Sequence, residues 1–165
     1  MSIKKDLAKI AIQEERLQFQ NFDADTAWKL GNRLKANAET RGVAVTIEIR
    51  VGKETVFFFA MQGVNPSNAD WARRKRNVVD LLWRSSYAVG LSLQEEETSL
   101  EAKLGLPLRD YTAHGGSFPI RVVGVGAIGT VTVSGLPQRD DHAMLVEELA
   151  GMLGVPLSEV ALPQA

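Results

Sequence analysis

The residues best suited to chemistry lie in one loop, where His114 is followed by Gly115, Gly116 and Ser117. An imidazole can ligate iron. The two glycines carry no side chain, so the backbone beside them can approach a flat ligand closely. We therefore predict a ligand-binding site at residues 114–117. The alternative interpretation is a loop histidine that is hydrogen-bonded to the backbone and holds no ligand.

A second candidate lies in the run of four cations from Arg73 to Arg76. Such a run could bind the carboxylates of an anionic ligand. Consecutive helix positions point in different directions, however, so the four side chains cannot all line one pocket. We expect the run to form a solvated face of a helix. Lys75 is the exception, because it shares the core-facing stripe of Trp71 and Val78. It either extends to solvent or pairs with an acid or a ligand, and we count it among the ligand-binding residues.

Other reactive side chains favour structural interpretations. Ser85 and Ser86 lack the G-x-S-x-G turn that exposes a nucleophilic serine, and we expect them to allow a helix to pack closely on a sheet. Asp140 and Asp141, which precede His142, are suited to the N-terminus of a helix, as a cap and as a partner of the helix dipole. No metal site and no catalytic residue is predicted, and the question of enzymatic activity stays open.

The segment Gly124 to Gly129 is a literal G-x-G-x-x-G that follows an apolar run. A dinucleotide site needs a helix to begin in this loop, so that its N-terminal amides meet a pyrophosphate. Here the next residues are Thr130 to Val133, which alternate two threonines with two valines. These β-branched residues favour a strand. The motif therefore predicts a strand connection and argues against dinucleotide binding.

Composition narrows the class of protein. The length of 165 residues fits one domain, which we place at residues 1–165. The absence of cysteine excludes disulfides, thiolate metal sites and cysteine nucleophiles. The N-terminus has no secretion-signal pattern, the apolar runs are too short for a membrane span, and the net charge of −1 gives no field that attracts polyanions. We expect a cytoplasmic protein with no nucleic-acid or membrane partner.

Periodicity predicts the element order. Two helices come first, at residues 2–16 and from Asp23 or Asp25 to Gly42, and a hairpin of strands follows at 43–51 and 55–61. A long helix is expected from the turn at residues 65–68 to about Leu93. The chain then continues with a short irregular helix, two strands joined near Gly124 to Gly126, and a helix from Asp140 to about Leu153. Paired strands around a central helix predict an α+β fold with an antiparallel sheet.

The hairpin carries a prediction about assembly. The first strand alternates apolar and polar residues, which is typical of a half-buried strand. The second runs Val56 to Met61 with apolar side chains on both faces, so both faces need cover. Helices of the same chain or another subunit could supply it. We expect a homo-oligomer.

Several motifs resemble the haem-degrading-domain family, also called HbpS-like or GlcG-like, in its branch of small cytoplasmic proteins. They are Trp71 with Arg74-Lys75, Ser85-Ser86, the segment 114–120, Gly126 to Gly129, Val133 to Gly135, and Asp141-His142. The resemblance implies a profilin-like α+β fold with a central antiparallel sheet flanked by helices, assembled as homo-oligomers. It also implies haem as a possible cofactor, since some members bind or degrade it.

Together these observations predict a homo-oligomeric ligand-binding protein that takes haem or a similar planar anionic small molecule near His114. The case for haem depends on the resemblance. An alternative is a non-catalytic interaction or scaffold protein that acts through its oligomeric assembly. A third possibility is an enzyme that acts on haem or on a small acid.

Overall fold

The structure is a computed structural model that describes residues 2–164. Its helices are α1 (Ile3–Arg16), α2 (Ala24–Arg41), α3 (Pro66–Leu82), α4 (Ser86–Glu95), α5 (Leu100–Leu104), α6 (Gln138–Leu153) and α7 (Leu157–Val160). Its strands are β1 (Gln18–Phe19), β2 (Thr46–Val51), β3 (Glu54–Ala60), β4 (Ser117–Val122) and β5 (Gly126–Ser134). Within these residues no helix is both long enough and apolar enough to span a membrane.

The strands form one sheet in the order β1-β4-β5-β2-β3. The pairs β2–β3, β2–β5 and β4–β5 are antiparallel, and the two residues of β1 pair in parallel with β4. The α+β prediction with a central antiparallel sheet flanked by helices is therefore confirmed. The glycine motif forms the end of the turn from β4 and the beginning of β5, which continues as a strand through Thr130 to Val133, as the sequence predicts.

The sheet has an apolar face and a polar face. Ile47 and Ile49 of β2 lie in the main core, together with Leu34 of α2 and Leu145 of α6. The alternate side chains face α3, where Glu48 accepts a hydrogen bond from Arg76 at 2.9 Å. Glu48 is nevertheless buried, so the expectation of a half-buried β2 was wrong. Polar side chains of α3 cover this face, and periodicity alone does not reveal that.

Strand β3 lies at the edge of the sheet. Phe57 packs in the core, whereas Phe58 and Phe59 are 49% and 39% exposed. Helices of the same chain therefore leave part of this apolar strand uncovered.

The long helix predicted to reach Leu93 is two helices, so that prediction was wrong. Helix α3 ends at Leu82, and its cap residue Trp83 adopts the left-handed conformation with φ of 54°. Ser85 then begins α4, because its side chain accepts a hydrogen bond from the backbone N–H of Ala88. Ser85 therefore acts as a helix cap. Its role is not the one predicted from the sequence, a small residue at a crossing of helix and sheet. The break turns the chain so that α4 packs beside α1 and α6.

Helix α6 begins two residues earlier than predicted, at Gln138, with Pro137 as the preceding cap residue. Asp140 and Asp141 consequently lie inside the first turn. Asp140 is exposed, whereas Asp141 is fully buried. The early start aims the Asp141 carboxylate into the protein, where it meets α3.

Candidate functional site

An open cleft of about 350 Å³ lies where α3, the loop before β4 and the β5–α6 connection meet. Its lining combines amide, aromatic and cationic side chains: Asn68, Trp71, Lys75, His114, Ser134, Gly135, Leu136, Pro137 and Gln138. No carboxylate is among these described residues. The cleft is therefore suited to a neutral or anionic ligand.

His114 lies at the mouth of the cleft with its ring against Trp71. The two ring centroids are 5.1 Å apart and the planes are tilted by 49°. Neither imidazole nitrogen has a hydrogen-bond partner among residues 2–164. Partial burial lowers the pKa of His114, and the charges of Lys75 and Arg74 lower it further. At neutral pH the ring is uncharged and has a free lone pair, which is the form that ligates a metal.

Trp71 links His114 to the cationic run on α3. The Arg74 guanidinium lies over the Trp71 ring at 4.1 Å from its centroid, a cation–π contact. Its Nε also donates to Asp70 at 3.1 Å. Arg74 is therefore held at the edge of the cleft and contributes positive charge there.

Lys75 reaches the floor of the cleft and pairs with an acid. Its Nζ donates to Asp141 Oδ2 at 2.8 Å and to the carbonyl of Val133 at 3.2 Å. Burial lowers the pKa of Lys75, and the Asp141 carboxylate opposes that change. Burial likewise raises the pKa of Asp141 against the opposing effect of Lys75. Of the two alternatives for Lys75, the structure shows the paired one.

Gly115 and Gly116 lie behind the cleft and do not line it. The Gly115 N–H donates to Gln138 Oε1 at 3.0 Å. Gly116 has φ of +128°, and a Cβ there would lie 2.8 Å from Lys75 Nζ. The absence of a side chain at Gly116 thus makes room for the lysine head group. From the sequence we expected a ligand to approach this glycine closely. In the structure the group close to Gly116 is Lys75 of the same chain.

Ser117 is also buried and lies away from the cleft. Its hydroxyl is 2.8 Å from Thr132 Oγ1, and its N–H donates to Ser86 Oγ at 3.0 Å. These bonds join β4 to β5 and α4. The structure therefore brings His114 and Lys75 together, whereas Gly115, Gly116 and Ser117 support the loop that holds His114.

The second histidine is structural. His142 is fully buried, and its Nε2 lies 2.7 Å from Gln13 Oε1. Burial and the Arg139 charge lower the pKa of His142 to about 3. In the part of the chain that the structure describes, no three His, Asp or Glu side chains cluster as a metal site would require.

Sequence reasoning missed the α6 side of the cleft. Gln138 lines it, and Asp141 holds the lysine at its floor. Asp141 Oδ1 also accepts from the Leu136 N–H at 3.1 Å, so one carboxylate organises both the lysine and the β5–α6 turn. The available signal was Ser134 to Gln138, a turn that leads straight into a helix with two aspartates.

Comparison with known proteins identifies the family. The family model described as "Haem degrading protein HbpS-like" matches residues 22–150. The chain belongs to this family. The resemblance inferred from the motifs is thereby confirmed, and the matched range includes α3, the His114 loop and most of α6. A "UPF0303 protein" of Azotobacter vinelandii is 62% identical over 162 residues, which cover 98% of each chain.

Two solved structures share the fold of this HbpS-like chain. The crystal structure of the Ybr137w protein is similar with a TM-score of 0.83 and 24% identity, covering 90% of this chain and 87% of the other. A PduOC–haem complex is similar with a TM-score of 0.66 and 14% identity, covering 79% and 93%. At these identities the similarity shows a common fold.

Proposed function

We propose that the protein binds haem or a similar planar anionic molecule in the cleft formed by Trp71, Lys75 and His114. One observation carries this proposal: the His114 imidazole is held against Trp71 while both its nitrogens lack a partner among the described residues. Membership of the HbpS-like family and the haem complex of a protein with the same fold support the choice of haem.

The residues of the cleft fit such a group. The uncharged His114 imidazole could ligate the iron. The Trp71 ring would offer a flat apolar surface, and Arg74 would place a cation nearby for a carboxylate. Pockets for small molecules enclose roughly 300–1,000 Å³, and this cleft is at the lower end. A haem-sized group would therefore be only partly enclosed by this cleft.

Bound haem would supply iron-centred redox chemistry. The chain's own contribution is to present His114 to the metal and to keep Asp141 hidden behind Lys75, so that no free carboxylate repels an anionic ligand. We propose binding as the function of the cleft toward haem, and we assign no reaction on haem to these residues.

A haem titration followed at the Soret band tests the proposal. We expect wild type to bind saturably and His114→Ala to bind at least about tenfold more weakly, since the loss of one good contact of about 1.4 kcal/mol has that effect. Trp71→Ala should also weaken binding, whereas Trp83→Ala is the matched control, because Trp83 is an exposed tryptophan outside the cleft. Linear, non-saturable absorbance changes, or equal affinity of His114→Ala, would contradict haem binding at this cleft.

A second candidate function, assembly as a scaffold, is favoured by the edge strand β3. An edge strand presents unpaired backbone groups that can pair with another chain. Here it also exposes Phe58 and Phe59, and the ring of Trp28 packs at 5.8 Å on that of Phe57 beside them. We propose that a second copy of this chain covers this surface.

We expect light scattering to show wild type as an oligomer and Phe58→Glu as a smaller species with unchanged circular dichroism. Phe58 is half exposed, so an acid there should be tolerated in the free chain and should oppose burial between subunits. The control is Val125→Glu, at an exposed apolar residue of the β4–β5 turn. A monomeric wild type, or a Phe58→Glu variant of unchanged mass, would rule out this interface.

A further inference from the structure

We propose that Lys75 is a nucleophilic lysine that condenses reversibly with a small 2-oxo acid in the cleft, with Asp141 as its proton donor. The reaction would take place at the cleft of the proposed function but does not require haem. It gives the buried Lys75–Asp141 pair a chemical role that ligand binding alone does not need.

Position is the first argument. Lys75 is one of the residues that line the cleft, although it is only 4% exposed. An ammonium has three N–H groups, and two of them have acceptors, Asp141 Oδ2 and the carbonyl of Val133. The third has no acceptor among the described residues. The missing side chain of Gly116 keeps space beside the nitrogen, since a Cβ there would be 2.8 Å away.

The second argument is the protonation of the pair. Burial lowers the pKa of Lys75 and raises that of Asp141. Both changes favour transfer of one proton along the 2.8 Å hydrogen bond, which leaves an amine beside a carboxylic acid. A desolvated lysine amine is the form that attacks a carbonyl group. An exposed surface lysine remains an ammonium at neutral pH and lacks this activation.

The step balances without an oxidant or a reductant. The amine lone pair forms a C–N bond to the carbonyl carbon, and the carbonyl π electrons move to the oxygen, which takes a proton from Asp141. The resulting carbinolamine nitrogen returns one proton to the Asp141 carboxylate. That proton then goes to the hydroxyl group, which leaves as water while the nitrogen lone pair forms the C=N bond. The product is a protonated imine opposite an Asp141 carboxylate, so an ion pair is restored.

The lining favours a 2-oxo acid over a plain aldehyde. Asn68 and Gln138 carry amide groups that can donate to a carboxylate, and Arg74 lies on the adjoining Trp71 ring. No described acidic side chain lines the cleft to repel an anion. A carboxylate bound by these donors would hold the neighbouring carbonyl carbon near Lys75 Nζ.

Trapping with pyruvate and sodium cyanoborohydride, read by peptide mapping, tests the proposal. We expect wild type to acquire one reduced pyruvate adduct, on Lys75, under conditions in which exposed Lys53 stays unmodified. Lys75→Arg keeps the positive charge and should lose the adduct. Asp141→Asn should form the adduct at least about tenfold more slowly, as expected for the loss of an acid catalyst. Lys53→Arg is the control and should be labelled like wild type.

An adduct spread over exposed lysines, with the Lys75 peptide unmodified, would overturn the proposal. That result comes from the wild type, so it stands even if Lys75→Arg fails to fold. Propionaldehyde in place of pyruvate tests the substrate class, and equal labelling of Lys75 by both would overturn the choice of a 2-oxo acid. The trapping is done without haem, so its failure leaves the Soret titration intact, and failure of the titration leaves the trapping result intact.

Discussion

Replacing Asp141 by alanine is expected to lower the free energy of unfolding by about 3–5 kcal/mol, the range for removal of one partner from a buried ion pair. Lys75 would keep its buried head group but lose its acceptor at 2.8 Å. The backbone N–H of Leu136 would lose its acceptor as well. Urea unfolding followed by circular dichroism measures the change.

The matched control is Asp140→Ala, one residue earlier in the same helical turn but exposed. It should change stability by well under 1 kcal/mol, as is usual for surface substitutions. The double variant Lys75→Met/Asp141→Asn should recover part of the loss, because it removes both charges together. Equal stability of Asp141→Ala and Asp140→Ala would show that the buried pair does not hold α3 to α6.

His142 by itself is expected to lower the free energy of unfolding by about 1.4 kcal/mol per pH unit as the pH drops below about 6.5. Burial lowers the pKa of His142 from 6.5 to about 3 in the native protein. Between these values the unfolded chain binds a proton that the native state does not. The stabilisation is therefore complete above pH 6.5 and is lost progressively as the pH falls toward 3.

Urea unfolding between pH 7 and pH 5 measures this slope above the range in which most carboxylates titrate. His142→Gln keeps a side-chain donor for Gln13 Oε1 and removes the titrating group, so its pH dependence should be flatter. His114→Gln is the control, since the pKa of the more exposed His114 is lowered less than that of His142 and most of the slope should remain. A His142→Gln slope equal to that of wild type would contradict a buried, neutral His142.

Local patterns predicted most elements because the physical causes are local. Period-two alternation located β2, and the continuous apolar run Val56 to Met61 located β3. The β-branched residues after Gly129 argued against a dinucleotide-binding helix. The break at Trp83 was missed because a left-handed non-glycine residue has no strong sequence signal. The cap that follows, Ser85, had been interpreted as a small packing residue.

The candidate site was predicted only in part because its contacts join distant segments. The loop at His114 and the stripe position of Lys75 were visible in the chain. Their relation was not, since Lys75 meets Asp141 across 66 positions and His114 meets Trp71 only once α3 has packed on the sheet. The glycine at position 116 indicated that another group lies close to the backbone there. No sequence pattern shows that this group is the side chain of Lys75.

Haem binding at His114 is tested most directly by a crystal structure of the protein grown with haem. We expect the iron to be coordinated by a His114 nitrogen, with the porphyrin edge against Trp71 and a propionate directed toward Arg74. Haem bound elsewhere, for example on the exposed surface at Phe58, with an empty cleft at His114, would contradict the proposed function.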